Sequence, residues 1–172
     1  MARAVFLDRD GVLTRERSDY VKKPEELEIL PGVYEPLRKI REKGFRIVIV
    51  TNQSVVGRGL TTHDEMGRIH EKLRLELGRQ DCTVDAIYYC PHVPGEGCDC
   101  RKPEPGMIIR ASSDLGIDRS RSWMIGDNES DLEAARRAGC RGIRVPTNGD
   151  QLAQAVRVII STEESELQTG GS

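Results

Sequence analysis

The sequence predicts an α/β fold, a doubly wound parallel sheet covered by helices. Three observations carry that expectation. Short β-branched or apolar runs alternate with helical patterns along the chain. Three of those runs stop abruptly at polar, chemistry-bearing residues, at Asp8–Asp10, Thr51–Ser54 and Gly126–Asp131. Three helical patterns close on a glycine (Gly44, Gly116, Gly139) before the next strand begins. Alternation of this kind signals βαβ units and a parallel sheet. A chain of 172 residues can bury a real core. Residues 1–160 are assigned to one domain, and the polar segment 161–172 (STEESELQTGGS) is expected to be a disordered tail.

Each element has its own justification. Ala4–Leu7 is an apolar run that ends where charge begins, a buried first strand. Residues 33–43 form a helix, with Val33, Leu37 and Ile40 at i, i+4 and i+7. Residues 45–50 (FRIVIV) are the second strand. Residues 62–78 form a long helix that opens on a Thr62–Glu65 capping box and buries Met66, Ile69, Leu73 and Leu77. His63 and His70 on it read as ordinary helix residues. Residues 86–89 are a third strand, and Pro105 starts a helix over 106–115. Residues 122–125 and 142–145 are the last two strands, separated by a helix through Ala138, and 150–160 are a terminal helix. Residues 14–31 lack periodicity and form a long polar loop, of the kind that is usually functional. Ser18, Asp19 and Tyr20 in it are candidates to face a substrate.

Lys and Arg total 26 against 28 Asp and Glu, for a net charge of −2. No bulk basic field advertises nucleic acid or a membrane surface. The longest apolar run, Ile47–Val50, is too short to span a bilayer. The chain enters its first strand at once, which leaves no room for a leader, so a cytoplasmic monomer is expected. Five cysteines are an odd number, and three of them fall within eleven residues. That pattern suggests a metal site in a reducing compartment, not disulfides.

The chemistry concentrates at strand ends. Asp8 and Asp10 end the first strand, and residues i and i+2 of an extended strand share a face. Two carboxylates aimed together repel unless a cation sits between them, and Mg²⁺ prefers oxygen ligands. Asp127 ends the fourth strand and is a candidate third carboxylate. Asp131 either orients the metal shell or complements the helix dipole. The Thr51 hydroxyl and the backbone N–H groups after it can cradle a phosphate. Lys102 is a compact charge suited to a phosphate oxygen, and Arg101 a planar fork for a second anionic or hydroxylated group. A phosphoryl group needs this set of partners. No Gly-rich Walker loop is present, so a nucleoside triphosphate is not favoured.

Cys90, His92, Cys98 and Cys100 supply three sulfurs and an imidazole in a loop bent by Pro and Gly. Four such ligands match tetrahedral Zn²⁺ in a closed, structural site. Cys82 reads as inert and Cys140 as a buried apolar filler.

Asp8-Arg9-Asp10-Gly11-Val12, Thr51-Asn52-Gln53-Ser54, Arg101-Lys102-Pro103 and Gly126-Asp127 with Asp131 resemble, in order, the four motifs of the haloacid dehalogenase-like phosphohydrolases. The resemblance spans residues 4–145. The cysteine loop narrows it to the subgroup holding histidinol-phosphate and D-glycero-D-manno-heptose-1,7-bisphosphate phosphatases. It implies a capless, Rossmann-like fold with a short zinc loop in place of a cap. It implies that Asp8 is the nucleophile, that Asp10 moves the proton, and that Asp8, the Asp10 carbonyl and Asp127 bind Mg²⁺. Thr51 and Lys102 would hold the phosphoryl oxygens, and Arg101 a small phosphorylated sugar.

Tyr20, Asn52, Gln53, Ser54 and Arg58 look like the heptose pattern, whereas the histidinol branch carries an acid where Ser54 stands. Against this, five residues separate His92 from Cys98, as in the histidinol branch. Asn128 also stands where heptose enzymes often have a lysine that touches substrate. Histidinol phosphate is thus the alternative substrate. A non-catalytic zinc-stabilised binding module is the alternative of another class, although both Asp8 and Asp10 are in place. Nucleic-acid end phosphatases share the first motifs, but the net charge speaks against a basic groove.

Overall fold

A computed structural model describes residues 1–169. Five parallel strands stand in the order β3-β2-β1-β4-β5. They are β1 (Arg3–Leu7), β2 (Phe45–Asn52), β3 (Ala86–Cys90), β4 (Trp123–Gly126) and β5 (Arg141–Arg144). The chain steps outward from β1 to β3, then returns to add β4 on the other side of β1. This reversal puts a topological switch point between β1 and β4, where open α/β sheets bind ligands beyond their carboxyl ends. Register aligns the ends there: Leu7 pairs with both Ile49 and Ile125.

The strands bury both faces, and alternation sorts their side chains. Val5, Leu7, Ile47 and Ile49 face one side, against α1 (Tyr34–Glu42), α3 (His63–Gly78) and α6 (Leu152–Thr169). Ala4, Phe6, Val48 and Val50 face the other, against α4 (Gly106–Leu115) and α5 (Glu129–Ala138). A short helix α2 (Ser54–Gly57) follows β2 directly. Gly116 and Gly139 end α4 and α5 in the left-handed conformation, as the stop signals required. The Met66, Ile69, Leu73 and Leu77 stripe is fully buried, and Thr62 caps α3 by accepting from Glu65 N.

Two expectations are corrected. The 14–31 loop is not simply polar: Val21, Leu27 and Leu30 enter the core, and Leu30 N donates to Leu13 O. The tail is not disordered over 161–169, because α6 continues to Thr169 (170–172 lie outside the described residues). The buried stripe Leu152, Val156, Ile159 runs on to Glu163, which is buried although charged. Its carboxylate lies 2.7 Å from Arg3 Nη1 and accepts from Trp123 Nε1 at 3.3 Å. A polar residue holding a core position hides the continuation from a pattern of apolar residues. Replacing it tests the docking: Glu163→Ala should lower unfolding stability by about 1–3 kcal/mol in urea titration, since the buried Trp123 N–H and the half-buried Arg3 guanidinium lose their acceptor. An unchanged midpoint would mean the tail is not docked.

Candidate active site

Asp8 follows β1, Asp127 follows β4, and Thr51 lies near the end of β2. The Asp8 backbone N–H donates to Ile125 O, tying the two central strand ends together. Lys102 reaches in from the segment after the cysteine loop. Its Nζ lies 3.1 Å from Asp8 Oδ1 and 2.6 Å from Asp131 Oδ1, and donates to Val50 O at 2.9 Å. Asn52 holds the Lys102 main chain from both sides, accepting from its N and donating to its O. Arg101 Nη1 donates to His92 O, which binds this segment to the cysteine loop.

Carboxylate oxygens of Asp8, Asp127 and Asp131 all lie within 4.8 Å of one another. Asp131 caps α5 by accepting from Asn128 N, and its carboxylate also stands in the acidic cluster. Asp127 is held by Thr147 Oγ1 at 2.8 Å and Asn128 Nδ2 at 3.2 Å. Glycine is required at two places around this cluster. A Cβ on Gly11 would collide with the Asp127 carboxylate, and one on Gly126 with Asp131. Gly11 also sits at φ +89°.

Three buried carboxylates against one ammonium leave a surplus of negative charge that a divalent cation fits. Burial raises the Asp8 carboxyl to about 7; Lys102 opposes the rise, while Asp131, Asp10 and Asp127 add to it. Lys102 is held protonated, because Asp8 and Asp131 outweigh the effect of burial.

The Asp10 carboxylate is not part of the cluster, contrary to the extended-strand expectation. The backbone turns immediately after Asp8: N–H groups of Val12, Leu13 and Thr14 all donate to Arg9 O. Asp10 is instead gripped by Arg9, Thr14 and Gln53. Gln53 Nε2 lies 2.7 Å from Asp10 Oδ2 and 2.9 Å from Thr51 Oγ1, so it links the two.

A cavity of about 330 Å³ opens above these groups. Of the sequence candidates, Asp8, Asp10, Thr51, Asn52, Gln53, Ser54, Arg58, Arg101, Lys102, Asn128 and Tyr20 line it. Ser18 and Asp19 do not. Asp19 points away and pairs with Arg17 and Lys22, which hold its carboxyl down at about 2. Glu16 and Arg17 take their place in the wall. Tyr20 adopts φ +65°, and the Arg58 guanidinium stands 5.9 Å from its ring centroid. Sequence reasoning passed over Arg9, Glu16, Arg17 and Thr147. Arg9 alone carried a signal, as a cation standing between Asp8 and Asp10.

The second cluster is built by Cys90 Sγ, His92 Nδ1, Cys98 Sγ and Cys100 Sγ, all within 4.8 Å and all free thiols in the case of the cysteines. Cys90 and Cys100 belong to the core, and Cys98 and His92 close over them. Burial alone would raise the Cys98 thiol, but backbone N–H groups of Arg101 and Cys100 bring it down to about 7. One metal ion can be held by these four atoms. Gly57 seats α2 on the same loop, donating to Pro91 O, where a Cβ would strike that oxygen.

The raised Asp8 carboxyl predicts a pH signature in metal-free protein. The folded state holds this proton more tightly than the unfolded chain, so its stabilising effect is full below about pH 4 and is lost as pH rises toward 7. Thermal melts should show wild type losing stability relative to Asp8→Asn across that window. Parallel profiles for the two proteins would contradict it.

Comparison with known proteins agrees with this geometry. A family model described as HAD-hyrolase-like matches residues 99–163. The chain is 38% identical over 143 residues to D-glycero-beta-D-manno-heptose-1,7-bisphosphate 7-phosphatase of Pseudomonas aeruginosa, covering 83% of this chain and 80% of that one. It is 40% identical over 139 residues to the Escherichia coli K12 protein of the same name, covering 77% and 72%. Among solved structures, D,D-heptose 1,7-bisphosphate phosphatase from B. bronchiseptica, complexed with magnesium and phosphate, superposes with a TM-score of 0.85 at 32% identity. The match covers 93% of this chain and 99% of that one. The chain therefore belongs to the haloacid dehalogenase-like hydrolases, in the family of the D-glycero-beta-D-manno-heptose-1,7-bisphosphate 7-phosphatases.

Proposed function

We propose that this chain is a Mg²⁺-dependent phosphomonoesterase that removes the C7 phosphate of D-glycero-D-manno-heptose 1,7-bisphosphate through an aspartyl-phosphate at Asp8. The observation that carries this reading is the buried Asp8 carboxylate. It is fixed by Lys102 beside Asp127 and Asp131, at the floor of a polar cavity. Asp8, Asp127 and the Asp10 carbonyl would hold Mg²⁺, with Asp131 behind them. That ion supplies charge neutralisation on the phosphoryl oxygens.

Asp8 attacks phosphorus, and the bond to the sugar oxygen breaks as Asp10 gives that oxygen a proton. Asp10 then takes a proton from water, which attacks phosphorus and frees Asp8. Thr51 and Lys102 hold the phosphoryl oxygens. Gln53 keeps Thr51 and Asp10 in fixed relation. Arg58 and Arg101 stand in the wall as cations suited to a second anionic group of the substrate, while Arg17 there is already paired with Asp19 and Glu16 adds an acid. Tyr20, Asn52, Ser54 and Asn128 complete the wall that meets the sugar. Cys90, His92, Cys98 and Cys100 would hold a structural Zn²⁺, and the loop so closed would fix Arg101 and Lys102.

Histidinol phosphate is the second reading, favoured by the short His92–Cys98 spacer and by Asn128. The neutral Ser54 and the cations Arg58 and Arg101 favour the bisphosphate. No helix among the described residues is long and apolar enough to cross a membrane. We infer a cytoplasmic enzyme from the free thiols of the Cys90, Cys98 and Cys100 cluster, which suit a reducing compartment.

Three outcomes are expected. Asp8→Asn should cut phosphate release by at least about 10³-fold, and retained turnover would rule out the covalent route. In a side-by-side phosphate-release panel, kcat/KM should be highest for heptose 1,7-bisphosphate, with both anomers included; a preference for histidinol phosphate would reverse the assignment. Metal analysis should find about one zinc per chain, lost together with solubility in Cys100→Ser. Zinc-free, fully active protein would refute the structural site.

A further inference from the structure

We propose that His70 is a positioning residue for this reaction, fixing through the Arg9 guanidinium the orientation of the Asp10 carboxylate. The inference rests on the reading of Asp10 as proton donor given above.

Arg9 is wholly buried, with no exposed surface. One edge of its guanidinium is spent on Asp10: Nε donates to Oδ1 at 3.1 Å and Nη2 to Oδ2 at 2.9 Å. This paired geometry sets the plane of the carboxylate. The remaining nitrogen, Nη1, turns to α3, where it meets His70 Nε2 at 3.1 Å and Met66 Sδ at 3.4 Å. A guanidinium has donors only, so His70 must accept, with its proton on Nδ1 and its ring neutral. Burial, with the Arg9 charge adding to it, lowers the His70 pKa to about 3, which keeps that acceptor available at any working pH.

The ring is itself held. Tyr89 meets it edge-on, with centroids 5.5 Å apart, and the Tyr89 hydroxyl lies 2.6 Å from His63 Nδ1. A line of contacts thus runs from β3 through α3 to the acid. Thioether sulfur is a weak acceptor, so His70 is the strong partner for Nη1. Without it, a buried N–H loses its partner, and the guanidinium can turn to find another. Asp10 would keep its single contacts to Thr14 and Gln53 but lose the paired contact that sets the plane of its carboxylate.

A core histidine of purely structural value would behave differently, and leaving-group dependence separates the two. Departure of an alkyl oxygen needs a proton, whereas p-nitrophenolate leaves without one. kcat/KM reports transfer to Asp8, before water enters. His70→Leu should lower kcat/KM for heptose 1,7-bisphosphate by about 10–100-fold, with p-nitrophenyl phosphate falling less than about threefold. His70→Gln, whose amide oxygen can reach the place of Nε2, should restore most of the loss. His70→Asn, one methylene shorter, should not; this pair carries the test if the leucine variant fails to fold. Equal losses on both substrates, or glutamine no better than asparagine, would overturn the role of His70. Asp10→Asn is measured alongside. If it shows no leaving-group dependence, the reading of Asp10 falls and this inference with it. If it does and the His70 variants do not, only the inference falls.

Discussion

The Lys102 ammonium, buried between Asp8 and Asp131, is the interaction on which the site depends. Removing one charge from such a group leaves the others uncompensated, at a cost of about 3–5 kcal/mol. The arrangement therefore forces three separate parts of the chain into register: the end of β1, the first turn of α5 and the segment after the cysteine loop. Asn52 at the end of β2 adds the fourth by gripping the Lys102 main chain. The same ammonium offsets only part of the acidic cluster. Burial, with the remaining carboxylates adding to it, raises the Asp8 carboxyl, and the surplus negative charge leaves a place for a hard cation. A fold-holding ion pair and a reactive carboxylate are thus one set of atoms.

The layout of the fold was legible in the sequence because it depends on local patterns. Strand ends such as Thr51 and Asp127 follow β-branched runs, and glycines mark the helix stops. Even the cysteine cluster needed only spacing. What sequence missed depends on the path of the backbone between elements. Asp10 does not share a direction with Asp8, because three N–H groups folding onto Arg9 O turn the chain there. Asp19 was a candidate by its chemistry, yet Arg17 and Lys22 beside it satisfy its charge, and Arg17, not Asp19, reaches the cavity wall. Glu163 was hidden because a carboxylate occupies a core position that Arg3 and Trp123 make tolerable.

Arg9 and Thr147 show a second limit. Their partners lie far away in sequence, at His70 and Asp127, and no motif announces such pairs. Both act one layer behind the groups that line the cavity. Through them the site's supporting contacts extend into α3 and the loop after β5. The parts of the molecule that shape reactivity are accordingly larger than the four motifs.

Gly95 and Gly97, at the tip of the cysteine loop, have nothing within 4 Å of where a side chain would begin, and both adopt positive φ. The loop is anchored at its base, by Cys90 and Cys100 in the core and by Gly57 against Pro91. The tip is therefore mechanically decoupled from Lys102. A change of length at the tip would leave the reactive floor where it is, since the contacts that hold Lys102 are made at the base of the loop.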